Sequence, residues 1–222
     1  MKVVGIIAAG GRGTRLCSDK PKQFLTVNEM PILAHTLLTF SKCTNISEII
    51  LTAPEGFKKV TEDIVDAYDI KGVTGVVTGG ADRQETVYLA LKAIDSADIV
   101  VIHDAVRPFV TADLIEHSIS AAKIHGACTL GVPVKDTIKV CGKDGLVLST
   151  PERKTLWQIQ TPQAFLYRVI KEAHDYAHAD GYCTTDDTGL VEHIGLPVKV
   201  IMGSYANVKI TTQEDLLHFQ ND

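Results

Sequence analysis

The sequence predicts an α/β fold, a doubly wound and mostly parallel sheet with helices on both faces and one protruding β-arm. Three observations predict it. Short β-branched runs alternate with amphipathic helical periods from Val3 to Pro133, a glycine-rich loop follows the first run directly, and the alternation breaks after Pro133. With 222 residues and 45% hydrophobic content, the chain has the size of one domain, 1–222, and enough apolar side chain for a sizeable core.

The elements follow in order. Val3 to Ala8 is apolar and β-branched, as a buried strand requires, and Ile32, Leu33, Thr36, Leu37 and Phe40 recur at helical spacing. Glu48 to Thr52 reads as a strand, Phe57 to Tyr68 as an amphipathic helix, Gly72 to Thr78 as a strand and Arg83 to Ile94 as a helix. A strand at Ile99 to Ile102, a helix at Ala112 to His125 and a strand at Cys128 to Pro133 continue the βαβ rhythm. Between Lys135 and Gln160 no long helical period exists. Short β-like pieces at Ile138 to Cys141 and Leu146 to Ser149 flank the turn signal Gly142 to Gly145, which reads as a hairpin arm. Such an arm has too little apolar surface to stand alone and needs packing from a second copy or from the main sheet. A helix near Phe165 to Ala179, a strand at Val198 to Met202 and a last helix from Gln213 complete the pattern.

A formal net charge of -5 argues against nucleic acid or an anionic membrane as the main partner and leaves small anions as the better match for any local basic cluster. No apolar stretch reaches the roughly 18 residues of a membrane span, and the N-terminus carries no signal-peptide pattern, so a cytoplasmic location is expected. The five cysteines are odd in number, widely spaced and form no C-x-x-C, so they read as reduced thiols.

The basic cluster lies in AAGGRGTRL (Ala8 to Leu16) and DKPKQFL (Asp19 to Leu25). Gly10, Gly11 and Gly13 let the backbone approach a phosphate, and Arg12, Arg15, Lys20 and Lys22 supply charge beside it. Leu16 stands where a dinucleotide fingerprint needs its third glycine, and no Gly-Lys-Ser/Thr marks a P-loop. GGADRQET (Gly79 to Thr86) and HDAVRPF (His103 to Phe109) also fall after strands, so the three segments should share the carboxyl edge of the sheet, where such folds bind ligands. Asp104 stands where a carboxylate can hold magnesium or cap the next loop, and Arg107 either contacts a substrate phosphate or braces the site through an ion pair. His103 reads as packing at the strand end. His174 and His178 lie four apart on one helix without a third ligand, which does not indicate zinc.

In order, AAGGRGTR, PKQFL, GGADRQETV, HDAVRPF, VPVKDTIK, ERKTLWQIQTPQAF, TDDTGLVE and GSYANVKITTQEDL cover the whole chain. This set resembles the 2-C-methyl-D-erythritol 4-phosphate cytidylyltransferases of the non-mevalonate isoprenoid pathway. The D-ribitol-5-phosphate cytidylyltransferases of teichoic acid synthesis share most blocks. VKDTIK, ERKTLW and TDDTGLVE look more like the erythritol branch, while Val106 and the first AGG occur more naturally in the ribitol branch. The resemblance implies a Rossmann-like nucleotidyltransferase fold that transfers CMP from CTP to the sugar-alcohol phosphate, with magnesium as cofactor and release of pyrophosphate. It puts Arg15 and Lys22 at the transition state, and Ala8, Ala9, Gly10, Gly80 and Thr86 around cytidine, with Gly11, Gly13 and Asp104 also on the nucleotide side. On the acceptor side it puts Arg153, Lys209 and Thr137, joined by Arg107, Ala105 and Thr161. The family often has Asp directly after the second glycine of its GGADR block, where this chain has Ala81 and then Asp82. Because Thr137 and Arg153 flank the arm at about 135–155, the likeness also implies a homodimer in which they reach the partner's site.

The chemistry is consistent on its own terms. A phosphate nucleophile with a second pKa near ~6 is already mostly dianionic at neutral pH and needs no general base. The enzyme must bring two anions into line and neutralise the charge that grows on the α-phosphate and the leaving pyrophosphate. Two other classes use the same loop: a nucleotidyltransferase acting on an ordinary sugar phosphate with UTP or GTP, and a catalytically silent nucleotide-binding module.

Overall fold

The computed structural model describes residues 1–11 and 20–218. Strand β1 (Val3–Ala8) sits inside a seven-stranded sheet, and its side chains alternate between two apolar layers. Val3 and Ile7 face one layer and Val4 and Ile6 the other, which is why the strand reads as a continuous apolar run. The short strands β2 (Thr26–Val27) and β3 (Met30–Pro31) form a separate antiparallel pair before α1 (Ile32–Ser41). The sequence reading does not contain this pair, because two-residue strands carry no periodicity.

β4 (Glu48–Ala53), α2 (Lys58–Ala67), β5 (Val73–Thr78), α3 (Arg83–Lys92), β6 (Ile99–Asp104), α4 (Ala112–His125) and β7 (Ala127–Pro133) follow the expected rhythm. α4 begins where Thr111 accepts a hydrogen bond from Leu114 N, and it stops at Gly126, whose φ of 83° few other residues adopt. The arm is the antiparallel pair β8 (Val140–Cys141) and β9 (Val147–Ser149). Leu146 and Leu148 on it are 67% and 69% exposed.

Strand β10 (Trp157–Leu166) corrects the expectation of a helix from Phe165. It runs antiparallel between β6 and β7, in the sheet order β11-β7-β10-β6-β1-β4-β5. Its polar residues hid it: Gln160, Thr161 and Gln163 are buried, and they are satisfied by hydrogen bonds that apolar periodicity does not reveal. Gln163 Nε2 donates to Thr129 Oγ1 (3.1 Å) and to Asp186 Oδ2 (2.7 Å), and Thr129 Oγ1 donates to Gln160 O (3.1 Å). α5 (Tyr167–Asp180) then starts at Tyr167. A further helix, α6 (Asp187–His193), is absent from the sequence reading because its buried side chains include Asp187 and Thr188. β11 (Lys199–Met202) and α7 (Gln213–His218) end the described chain.

α1 and α4 pack with Phe40, Leu51, Val101 and Ile115 on one face; α3, α5 and α6 pack with Ile6, Val100, Phe165 and Leu190 on the other. The loops after β1, β4, β5 and β6 all leave the same edge, as parallel pairing of these strands demands. No helix among the described residues is long and apolar enough to cross a membrane.

Candidate active site

A cavity of about 920 Å³ opens at that edge. Its floor is the backbone after β1, where two loops touch. A Cβ on Gly10 would lie 2.8 Å from Thr86 Cγ2 and 3.0 Å from Gly79 Cα, so no side chain fits there. The floor is pinned from below. Ala9 N donates to Thr52 Oγ1 (2.7 Å), and the buried amide of Gln23 donates to Ala9 O (2.6 Å) and Gly11 O (3.0 Å). Gln23 belongs to the short 3₁₀ turn Lys22–Phe24, so the same turn that braces the loop presents Lys22 to the cavity.

The opposite wall is the start of α3. Asp82 caps it by accepting from Glu85 N (2.8 Å), and Glu85 reaches back to Ala81 N (2.7 Å), a reciprocal capping arrangement. Asp82 is thus held as a helix cap. Thr86 Oγ1 donates to Asp82 O (2.6 Å) and accepts from Gly80 N (3.0 Å), which fixes the Gly79–Gly80 loop over the cavity.

Asp104, at the end of β6, is the electrostatic centre. Its carboxylate meets Arg83 Nε at 3.0 Å, Lys209 Nζ at 2.7 Å and Arg107 Nε at 3.8 Å. Burial alone would raise its pKa, but Arg83, Lys209 and Arg107 outweigh burial and hold the carboxyl far below the usual carboxylate range. Arg83 also reaches Asp187 at 2.8 Å. Burial opposes its charge, the carboxylates of Asp187 and Asp104 outweigh that, and its pKa lies above the ordinary value. Behind Asp104, Thr161 Oγ1 accepts from Asp104 N (3.1 Å) and sits 3.0 Å from His103 Nδ1. His103 Nε2 lies 3.2 Å from the carbonyl of Arg107, which can only accept, so Nε2 carries the proton and Thr161 donates to Nδ1. Burial pushes the His103 pKa down to about 4, in keeping with a neutral ring that packs at the strand end.

Of the expected site residues, Ala8, Ala9, Gly10, Gly11, Lys22, Gly80, Thr86, Asp104, Ala105 and Lys209 line this one cavity. Gly13 and Arg15 lie outside the described residues. Thr161 and Arg107 are not among the residues that line the cavity; Arg107 is buried, donates to Asn207 O (2.8 Å) and lies 3.8 Å from Asp104. Thr137 and Arg153 also stand apart from it within a single chain. Both are exposed at the base of the arm, where Arg153 Nη1 donates to Lys135 O (2.9 Å).

Direct ligation of a metal by Asp104 does not fit, because one of its oxygens faces Arg83 and the other Lys209. Among the described residues, no cluster of three or more His, Cys, Asp or Glu could hold a metal ion. Arg83 and Gln23, which line the cavity, and Asp187, which pairs with Arg83 from outside it, are residues that the sequence reading did not single out. All three stand in the quoted blocks, yet their partners are distant in sequence and only the fold brings them together.

A glycine cradle at the carboxyl edge of a mostly parallel sheet, faced by lysine and arginine, is an anion-binding edge of an α/β fold, and the solved structures that the chain matches make that fold the α/β nucleotidyltransferase one. The family profile described as 2-C-methyl-D-erythritol 4-phosphate cytidylyltransferase matches residues 3–221, and the chain belongs to that family. A relative of the same description from Syntrophus aciditrophicus is 45% identical over 218 residues, covering 97% of this chain and 93% of its own. The crystal structure of 4-diphosphocytidyl-2C-methyl-D-erythritol synthase from Anaerococcus prevotii superimposes with a TM-score of 0.88 at 34% identity, covering 99% of this chain and 95% of its own. The 2-C-methyl-D-erythritol 4-phosphate cytidylyltransferase of Thermus thermophilus gives a TM-score of 0.83 at 31% identity, covering 100% and 98%.

Proposed function

We propose that this enzyme transfers CMP from CTP to 2-C-methyl-D-erythritol 4-phosphate, releasing pyrophosphate and forming 4-diphosphocytidyl-2-C-methyl-D-erythritol. The observation that carries the reading is the meeting, in one cavity, of a side-chain-free glycine floor with Lys22, Arg83 and Lys209. The floor leaves room for a nucleotide against backbone groups, and the cations suit two phosphorylated substrates brought into line. Lys22, on the side of the glycine loop, serves the transferring phosphate; Lys209, held by Asp104, grips the acceptor phosphate. Magnesium in this reading is carried by the triphosphate of CTP rather than by Asp104. The test supplies CTP and magnesium with either 2-C-methyl-D-erythritol 4-phosphate or D-ribitol 5-phosphate and follows pyrophosphate release. The expected result is a higher kcat/KM for the erythritol compound; a higher value for ribitol 5-phosphate overturns the acceptor, and activity only with UTP or GTP overturns the nucleotide. A methyl contact alone discriminates by roughly 1–3 kcal/mol, so some turnover of the second acceptor is expected.

The arm extends this reading to a homodimer. Leu146, Val147 and Leu148 expose a run of apolar surface that a second copy would cover, and Arg153 and Thr137 at its base then face the partner's cavity. Mixing inactive Lys22→Ala subunits with inactive Arg153→Ala subunits should restore part of the activity, because each hybrid dimer holds one site with both residues intact. No recovery after verified subunit exchange removes the arm from the mechanism.

A further inference from the structure

Asp187 lies outside the cavity, yet its side chain is only 1% exposed and stands among Gln163, His174 and Arg83. Its backbone N–H donates to Gln163 Oε1 (3.1 Å), so strand β10 pins the first turn of α6. Asp186, immediately before, caps that turn by accepting from Gly189 N (3.1 Å). His174 of α5 stacks against Tyr88 with the rings 5.9 Å apart and nearly parallel, and its Nε2 lies 3.2 Å from one Asp187 oxygen. The other oxygen faces Arg83 Nη1 at 2.8 Å. Arg83 spans two carboxylates: Nε donates to Asp104 Oδ1 (3.0 Å) and Nη1 pairs with Asp187 Oδ2 by charge at 2.8 Å, while Nη2 and that Asp187 oxygen are both buried without a hydrogen-bond partner. A guanidinium that only neutralised Asp104 would not need a second carboxylate; one hydrogen-bonded to Asp104 and drawn by charge to the buried Asp187 on its other side is held between them.

Resting on the reaction proposed above, we propose that Asp187 is a positioning residue: by holding Arg83 it fixes the Asp104 carboxylate, and through it the Lys209 ammonium that grips the acceptor phosphate. The series Asp187, Arg83, Asp104 and Lys209 alternates in charge, and each contact along it is 3.0 Å or shorter. Loss of the outer anchor lets Arg83 tilt, and Asp104 and Lys209 follow. The glycine floor keeps its own pins, Thr52, Gln23 and Thr86, and none of these hydrogen bonds involves Asp187, so the CTP side does not depend on that residue.

The experiment is a double-mutant cycle on the full chain with Asp187→Asn and Arg83→Lys, since a lysine ammonium keeps the charge but cannot span both carboxylates. Each single variant should raise the acceptor KM by about 10- to 100-fold, and Asp187→Asn, whose side chain does not line the cavity, should leave the CTP KM within about three-fold of wild type. In the Arg83→Lys background, Asp187→Asn should add nothing further to the acceptor KM. Equal rises in both KM values of Asp187→Asn, additive effects in the double variant, or a lowered Tm with both KM values unchanged would each overturn the proposal. If Asp187→Asn does not fold, Arg83→Lys carries the same test, and an unchanged acceptor KM in it overturns the relay. A second readout needs no turnover: labelling of Lys209 by an amine reagent should speed up in both variants while the exposed Lys59, in the first turn of α2, keeps its rate. Absence of wild-type activity on either acceptor would count against the proposed reaction, and the Lys209 labelling would still decide the relay.

Discussion

Replacing Lys22 by Ala is expected to lower kcat by about 10²- to 10³-fold while the KM for CTP changes only a few-fold, the magnitude typical of losing one donor aimed at developing charge. The expectation follows from where the residue sits. Lys22 opens a one-turn helix whose next residue, Gln23, is buried and bonded to the carbonyls of Ala9 and Gly11. Lys22 therefore lines the cavity from a braced turn beside the glycine backbone that the proposed reaction assigns to the phosphates. A dianionic acceptor needs no base, so the charge that builds on the leaving pyrophosphate is the main barrier left to lower. A lysine that merely attracted anions would behave differently, since its loss would raise KM and leave kcat near normal. Steady-state pyrophosphate release by a variant with wild-type Tm separates the two, and a near-normal kcat would remove Lys22 from the transition state.

Much of this was legible because the fold repeats one simple pattern. β1 and β6 are apolar on both faces since helices cover both, and α4 carries Thr111 and Gly126 at its ends as plain start and stop signals. The glycine edge of the cavity was legible for a related reason: at Gly10 and Gly80 the backbone is packed too closely for a side chain, so the glycines themselves are the signal. What stayed hidden is polar and long-range. β10 runs through the middle of the sheet with Gln160, Thr161 and Gln163 buried, and only their hydrogen-bond partners on other strands make that tolerable. The roles of Asp104 and Arg107 were open for the same reason. A carboxylate at a strand end looks alike whether it will meet a metal or three cations, and the cations come from α3, from the loop after β6 and from beyond β11. Asp187 shows the limit most clearly, because its partner Arg83 is placed by a different βα unit.

Replacing Asp104 by Asn is expected to destabilise the fold by about 3–5 kcal/mol, the usual cost of removing one partner from a buried ionic cluster. The side chain is only 8% exposed and stands among Arg83, Arg107 and Lys209. Asparagine fills the same volume and can still hydrogen-bond, but it leaves the positive charges facing one another. Arg107 suffers most: burial already depresses its pKa, Asp104 is the charge that opposes this, and Arg83 adds repulsion. The pH dependence gives the prediction a second handle with a definite sign. Asp104 titrates below its unfolded value of ~3.9, so its stabilising contribution is complete above that pH and is lost only as the pH falls through the lower folded value. Urea denaturation of wild type and Asp104→Asn should therefore give a stability gap that is constant from about pH 5 to 8 and narrows below about pH 4. A gap under about 1 kcal/mol, or one that widens on acidification, would mean that the three cations are not held by this carboxylate and that Lys209 takes its position from elsewhere.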